Sequence, residues 1–390
     1  MRTLGSARQG SRLVYIVCAT LIPFSGSLIN PVLSLFATLE LKLEPLQVSL
    51  LFMLLPISTV VIVQLCGKYS DKGLERPLII TLSSLCGVAS CFLLSLRPSF
   101  IVLCTLGILL MGAYAVSFPQ LFASAREFSL KHLPNALMFT TVLRALCSLA
   151  WVGGPPIAYF MVTSLSFNAL FVASGAMFAL SALISFTSLP SIDLPKGASR
   201  TESLNLLHKP QLLLLFVATA GIFTAFSGYI ISMPLFVVNE LGLPEKLPGG
   251  MFALAAFLEI PIMLGAARIA RRVGLKLIMF IGFAALVVFL ICMCVVAHEW
   301  GLIFLQILSA LFIGLVSSMG MVFFQELEPK LPGQATSLFV NAGTLGQILG
   351  GGMFALADLG SYRYIYIAGI ILAVLSTLAL CAVKNPRQIM

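Results

Sequence analysis

Charge is what this chain has least of. Only 9% of its 390 residues are Asp, Glu, Lys or Arg, against about a quarter in soluble domains. No polar stretch is long enough to build a water-soluble module, so one membrane domain is expected and nothing outside it. Histidine is equally scarce: His132, His208 and His298 lie between apolar runs. A membrane enzyme needs an interfacial cluster of catalytic groups, and none is found; neither an enzyme nor a cofactor is expected. The nine Cys are odd in number and all sit inside apolar segments, which argues against disulfides and metal sites. Cys292 and Cys294, the closest pair, point to different helix faces. A Gly-x-x-x-x-Gly-Lys-Ser/Thr loop is also missing, which argues against ATP as a direct energy source.

What the chain does have is hydrocarbon. Hydrophobic residues make up 59% and the mean hydropathy is +1.07, so it is expected to be an integral protein of the lipid bilayer. Runs long enough to cross roughly 30 Å of hydrocarbon at about 1.5 Å per residue fall at 13–39, 46–66, 77–96, 100–124, 134–163, 167–189, 211–238, 248–267, 275–297, 301–325, 335–357 and 364–383. The first follows Arg2, Arg8 and Arg12 and is too long for a signal-peptide core. The net charge of +9 does not indicate nucleic acid, because the charges sit in short loops. Eighteen Lys and Arg lie on the side of the N-terminus and four, Lys42, Arg97, Lys246 and Arg363, on the other. The positive-inside rule then puts both termini in the cytoplasm.

One stretch occurs twice. Phe24-Ser25-Gly26, followed by Pro31 and Leu35-Phe36-x-x-x-Glu40-Leu41-x-Leu43, returns as Phe226-Ser227-Gly228, followed by Pro234 and Leu235-Phe236-x-x-x-Glu240-Leu241-x-Leu243. The offset of 200 to 202 residues is about half the chain. A repeat of that length in so apolar a sequence predicts a transporter built from two related halves. The longest polar stretch, Pro190 to Pro210, reads as a cytoplasmic linker. The expected parts are a six-helix half at 1–189, a linker at 190–210 and a second six-helix half at 211–390. A weaker echo, Phe118-Pro119-Gln120-Leu121 against Phe324-Gln325-Glu326-Leu327, lies at the fourth-to-fifth turn of each half.

Of the 23 basic residues only Arg144 lies within a span, and of the 14 acids only Glu259 does. Both stand near the midplane, where an ionisable group is costly unless it faces a bundle interior or water. Arg144 is expected to donate hydrogen bonds to substrate, and Glu259 to exchange a proton and accept from substrate hydroxyls. The alternative is a structural pair, or two groups satisfied by neighbouring helices. Ser148 and Trp151 share the face of Arg144, and an aromatic platform beside a polar fork suits a sugar ring; Trp151 otherwise is a packed core residue. Asn30, Asn341 and Gln347 both donate and accept, as polyol binding requires. Each alternatively makes an interhelical hydrogen bond.

The loop between the second and third spans, Gly67-Lys68-Tyr69-Ser70-Asp71-Lys72-Gly73-Leu74-Glu75-Arg76, resembles the loop motif of the major facilitator superfamily. That resemblance implies a conformational latch at Gly67, Asp71, Lys72 and Arg76; Gly73 comes one position early, and Glu75 stands where a base is usual. The matching loop of the second half keeps Arg272, Gly274 and Lys276 but has no acid. Gly153-Gly154-Pro155-Pro156 resembles part of the Gly-Pro element of superfamily exporters, without its trailing glycines. On physical grounds those four allow close packing and a bend for gating. Four blocks resemble the Set-type sugar efflux transporters: Leu143–Pro156, Pro119–Glu127, Met233–Lys246 and Leu258-Glu259-Ile260-Pro261. The similarity covers all twelve spans. It implies an all-α major facilitator fold that exports small sugars or glycosides against protons across the bacterial inner membrane, as a monomer, by alternating access. The family pattern has a base in the eleventh span shortly after Asn341, where Leu345 stands here, so the substrate range is expected to differ. The rival reading is a drug/proton antiporter, favoured by the Gly-Pro element and disfavoured by the few acids in the spans. A sensor or structural membrane protein would typically add a soluble signalling domain. Transport assays of Arg144→Ala and Glu259→Gln are expected to show losses in both; wild-type rates in both overturn the assignment.

Overall fold

The computed structural model describes residues 2–71, 74–133, 136–190, 209–329 and 331–384, with some helical side chains, those of Arg144 and Ser148 among them, outside the described set. The expected linker lies outside it at 191–208. In hydrocarbon every main-chain N–H and C=O must be satisfied within the chain, so the apolar runs have one local solution, the helix. Among the described residues twelve long helical rods follow. In the first half they are α1 (Arg2–Ile29, through a 3-10 turn at Asn30–Val32 into Leu33–Leu39), α2 (Pro45–Asp71), α3 (Arg76–Ser95), α4 (Phe100–His132), α5 (Ala136–Ser164) and α6 (Phe167–Ser188). The second half has α7 (Pro210–Leu235, into a π turn at Phe236–Glu240), α8 (Leu247–Val273), α9 (Leu275–Val295), α10 (Glu299–Leu327), α11 (Pro332–Met353) and α12 (Arg363–Ala382). Ten of these are long and apolar enough to cross a membrane among the described residues; α5 and α11 have 29 and 22 residues. Proline opens α2, α7 and α11, where a missing N–H costs nothing. Gly274 alone joins α8 to α9 with φ of 88°, a left-handed conformation open to glycine without strain.

The rods form two compact units, Met1–Lys42 with Leu54–Ser199, and Leu43–Met53 with Arg200–Met390. In unit 1, α1 packs on α5 and α6, and α3 on α4 and α6; in unit 2, α7 packs on α11 and α12, and α9 on α10 and α12. The pairing scheme is the same in both. Lipid gives helices no hydrophobic reason to associate, so small residues must let the backbones close. Gly87 of α3 lies under the Phe178 ring of α6, where a Cβ would stand 2.7 Å from ring carbons. Gly282 of α9 meets Val316 of α10 in the same way. Aromatic edges fill the layers between these crossings, as where Tyr229 meets Phe289 at 4.7 Å between ring centroids. The head of α2 belongs to unit 2, where Ser49 Oγ donates to the Gly352 carbonyl at 3.2 Å. Pro56 withholds the N–H that the Phe52 carbonyl would otherwise receive. Gly351 packs on that main chain, where a Cβ would stand 2.7 Å from Phe52 O.

The repeated stretch ends both of its helices alike. Lys42 and Gly242, 200 residues apart, both have positive φ, 51° and 65°. The two acids before them have different work. Glu240 accepts from Ser361 Oγ and the Tyr362 N–H, each at 2.8 Å, at the start of α12, where unpaired N–H groups and the helix dipole favour an anion. The corresponding helix of unit 1, α6, is capped by its own Ser166, whose Oγ accepts from the Ala169 N–H. Glu40 is thereby free to pair with Arg97 at 2.6 Å. At the opposite end of unit 2 the buried Glu328 carboxylate holds Lys209, tying the start of α7 to the end of α10.

A lysine in the left-handed region costs roughly 1–3 kcal/mol, of which glycine's extra chain entropy returns about 0.5–1. Lys42→Gly is therefore expected to raise the thermal unfolding temperature of the detergent-purified protein. Gly242→Lys, at the matching position, is expected to lower it.

Candidate functional site

Each unit carries its own share of the candidate polar residues. In unit 1 they gather where α1 departs from the α-helix. Pro31 cannot donate to the turn before it, and the chain tightens into the 3-10 turn Asn30–Val32. Two neighbours hold this break. From α5, Tyr159 donates its hydroxyl to the Pro31 carbonyl at 3.0 Å. From α4, Tyr114 donates to Asn30 Oδ1 at 3.2 Å. Asn30 therefore makes the interhelical bond that was its alternative reading, while remaining partly exposed.

One turn earlier α1 crosses α5. Ser27 Oγ donates to the Ala150 carbonyl at 3.0 Å, and Gly154 lies on Ser27 so closely that a Cβ would stand 1.9 Å from Ser27 Oγ and 2.5 Å from Ser27 Cβ. Gly153 faces Phe24, and Pro155 and Pro156 continue inside the unbroken α5. The Gly-Pro element thus packs α5 onto the repeated stretch of α1. Trp151, on another face, is 45% exposed, which removes the packed-core alternative. The Arg144 and Ser148 side chains lie outside the described residues.

The matching crossing in unit 2 is α7 with α11. Gly346 lies against Phe223, and Gly350 against Ser227 and Gly228, with would-be Cβ contacts of 2.5 Å to both Phe223 and Ser227. Ala342, Gly346 and Gly350 are buried, which leaves Asn341 and Gln347 on exposed faces of α11. Glu259 stands on α8 where α8 meets α10. A Cβ on Gly314 would lie 2.7 Å from Ile262 Cγ2 and 3.3 Å from Glu259 O. In unit 1 the same crossing joins Gly112 of α4 to Ser58 of α2, whose Oγ donates to the Ile108 carbonyl at 3.3 Å. At this crossing unit 1 has a serine bonded across to α4, and unit 2 has the Ile262 side chain one turn from the half-buried carboxyl of Glu259. Among the described residues, Glu259 has no hydrogen-bond or ion-pair partner. An unpaired carboxylate in an apolar setting is costly, and taking up a proton or a hydrogen-bond donor relieves the cost.

Of the latch residues, Gly67 lies within α2 in open space. Asp71 ends α2 with its side chain outside the described residues, as is Lys72. Arg76 starts α3 and binds α4: Nε and Nη2 reach Glu127 Oε1 at 2.9 and 2.8 Å, and Nη1 reaches Gln120 Oε1 at 2.8 Å. A separate apolar cavity of about 240 Å³ in unit 1, lined by Ile62, Cys66, Leu82 and Cys86 among others, holds none of the candidate residues. Sequence reading missed Ser58, Tyr114 and Tyr159. A signal existed for the first, because Gly112 and Gly314 are 202 residues apart, the spacing of the two Phe-Ser-Gly triplets. Nothing local distinguished the tyrosines.

Residues 15–351 match the Major Facilitator Superfamily. The chain is 37% identical over 383 residues to "Sugar efflux transporter A" of Dickeya chrysanthemi, covering 95% of this chain and 96% of that one. It is 34% identical over 375 residues to "Sugar efflux transporter C" of Escherichia coli (strain K12), covering 95% of each. Among solved structures, the nucleoside transporter NupG superposes with a TM-score of 0.82 at 14% identity, covering 95% of this chain and 98% of that one.

Gly154→Ala is expected to cost about 1–3 kcal/mol of stability through overpacking and to lower transport. Ser27→Gly in the same chain, by opening the space, is expected to restore thermal unfolding toward wild type; no restoration means that the clash lies elsewhere.

Proposed function

Because the chain belongs to the sugar efflux transporters of the major facilitator superfamily, we propose that it exports sugars and glycosides from the cytoplasm, driven by proton entry, through alternating access. The observation that carries the sugar reading is relatedness to sugar exporters over 95% of the chain. Both termini face the cytoplasm in this reading and the membrane is the bacterial inner one, supported by the excess of Lys and Arg on the side of the N-terminus. Alternating access fits a chain of two compact units that share one pairing scheme.

The proton is assigned to Glu259. It is the one acid inside a span, half-buried, without a partner among the described residues, and its main chain lies at the α8–α10 crossing against Gly314. Protonation of this carboxyl and its release alternate with binding and release of sugar hydroxyls. Arg144 and Ser148 supply hydrogen bonds, Trp151 a platform for the apolar face of the ring, and Asn30, Asn341 and Gln347 the amides that meet the hydroxylic rim. Arg76 holds the N-terminal end of α3 to Gln120 and Glu127 of α4 and so contributes to the latch.

Cells preloaded with radiolabelled lactose or a thiogalactoside are expected to lose label faster with the protein than without it, and an uncoupler is expected to abolish the difference. Export of a lipophilic cation with no sugar efflux would move the protein to the drug/proton antiporter reading. Sugar efflux indifferent to the uncoupler would remove the proton role of Glu259.

A further inference from the structure

An amide recognises different oxygens depending on which end it presents. Its carbonyl only accepts and its NH2 only donates, and the end left free is decided by whatever holds the other. Asn30 stands at the break in α1, partly exposed, and one end of it is held. The Tyr114 hydroxyl donates to Oδ1 at 3.2 Å. The opposite end, Nδ2, is turned toward Gly26: a Cβ there would stand 3.9 Å from Nδ2 and 3.7 Å from the Tyr114 ring edge. With no side chain at Gly26, the two amide hydrogens keep room beside the helix. Tyr114 is itself almost wholly buried and also rests on Phe178, their ring centroids 5.0 Å apart, so the phenol is fixed before anything reaches the amide.

The pair is not repeated at the matching positions of unit 2. In unit 2 the repeat puts Ser232 where Asn30 stands, and Ser232 Oγ turns back to the Gly228 carbonyl of its own helix at 2.7 Å. Counted from Gly112 and Gly314, the position of Tyr114 is filled there by the buried Val316. The corresponding two helices are joined in unit 2 at other positions, where the buried Tyr229 hydroxyl of α7 donates to Gln306 Oε1 of α10 at 3.3 Å. The amide of that pair is buried and its NH2 end is held by the Leu302 carbonyl at 3.1 Å, whereas Asn30 is partly exposed with its NH2 end beside the open side of Gly26.

We propose that Tyr114 is a positioning residue for sugar recognition: by holding Asn30 Oδ1 it presents the NH2 donors of Asn30 to an acceptor oxygen of the substrate. The inference rests on the reading of Asn30 as a substrate-binding residue. Without the phenol the amide turns freely and offers its carbonyl as often as its NH2, so affinity falls while the machinery that moves the substrate is unchanged.

Lactose counterflow in proteoliposomes gives KM and maximal rate for wild type, Tyr114→Phe, Asn30→Ala and the double variant, with thermal unfolding followed in parallel. Loss of one hydrogen bond to a neutral partner is worth about 0.5–1.5 kcal/mol, so Tyr114→Phe and Asn30→Ala are each expected to raise KM by up to about tenfold. The maximal rate is expected to stay within about twofold, and the double variant to have the KM of Asn30→Ala, because Tyr114 acts only through that amide. A raised KM in Asn30→Ala with wild-type KM in Tyr114→Phe overturns the positioning role and leaves the Asn30 reading intact. Additive effects in the double variant, or a Tyr114→Phe defect confined to unfolding temperature and rate, overturn it as well. Wild-type KM in Asn30→Ala removes the Asn30 reading and the inference with it, and wild-type protein without lactose counterflow removes lactose recognition altogether.

Discussion

Close approach of helix backbones is the condition on which the rest of this structure depends. In water a helix is driven onto its neighbour by the apolar surface it hides. In hydrocarbon that drive is absent and van der Waals contact must replace it. Glycine meets the need at each main crossing. Gly154 admits Ser27 of α1, Gly350 admits Ser227 of α7, and Gly112 and Gly314 admit the second and eighth helices. The repeated stretch that marks both halves of the sequence is the strip of α1 and α7 on which α5 and α11 close.

Close packing makes breaks in the helices tolerable. Pro31 disturbs α1 eight residues before its end at Leu39, and the consequence is managed from outside the helix, by the Tyr159 hydroxyl on the Pro31 carbonyl and the Tyr114 hydroxyl on Asn30. Hydroxyls serve well here because they reach carbonyl oxygens of main chain and side chain across a narrow gap and leave no charge in the hydrocarbon. A broken helix supported in this way exposes polar groups at membrane depth at a defined orientation, which is where transporters place recognition chemistry.

The scaffold repeats while the chemistry does not. Ser58 donates across the α2–α4 crossing to Ile108, and Glu259, at the α8–α10 crossing, has no partner among the described residues. Glu40 binds Arg97, and the matching Glu240 caps α12 as well as pairing with Arg363 at 3.5 Å. The phenol–amide pair of the α1–α4 contact leaves its amide, Asn30, partly exposed, and that of the α7–α10 contact, Tyr229 with Gln306, is buried. Duplication supplied two equal frames. The polar residues within them differ from one unit to the other, while the glycine crossings recur in both.

How far a reader of the sequence gets follows from which properties are local. The twelve helices were legible because hydropathy over about 20 residues and the demand for internal hydrogen bonds are decided within each segment. Their ends were less so: α4 continues to His132, beyond the apolar run that ends at 124, since a helix already bonded internally loses nothing by running into the polar zone. The depth of Glu259 and Arg144 and the special character of Gly153–Pro156 were also visible, being positions along a rod. Partners were not visible. That Arg76 would take Glu127 and Gln120, that Tyr114 would hold Asn30, and that Trp151 would stay exposed depend on which helix lies beside which and at what rotation. Those are set by the summed fit of small and large side chains from segments far apart in the chain, a quantity that no single segment contains. The sequence alone determined the number of rods, their order and the residues each carries at its middle; the tertiary structure alone decided which side chains meet, because meeting is a property of pairs of helices and each helix is specified by itself.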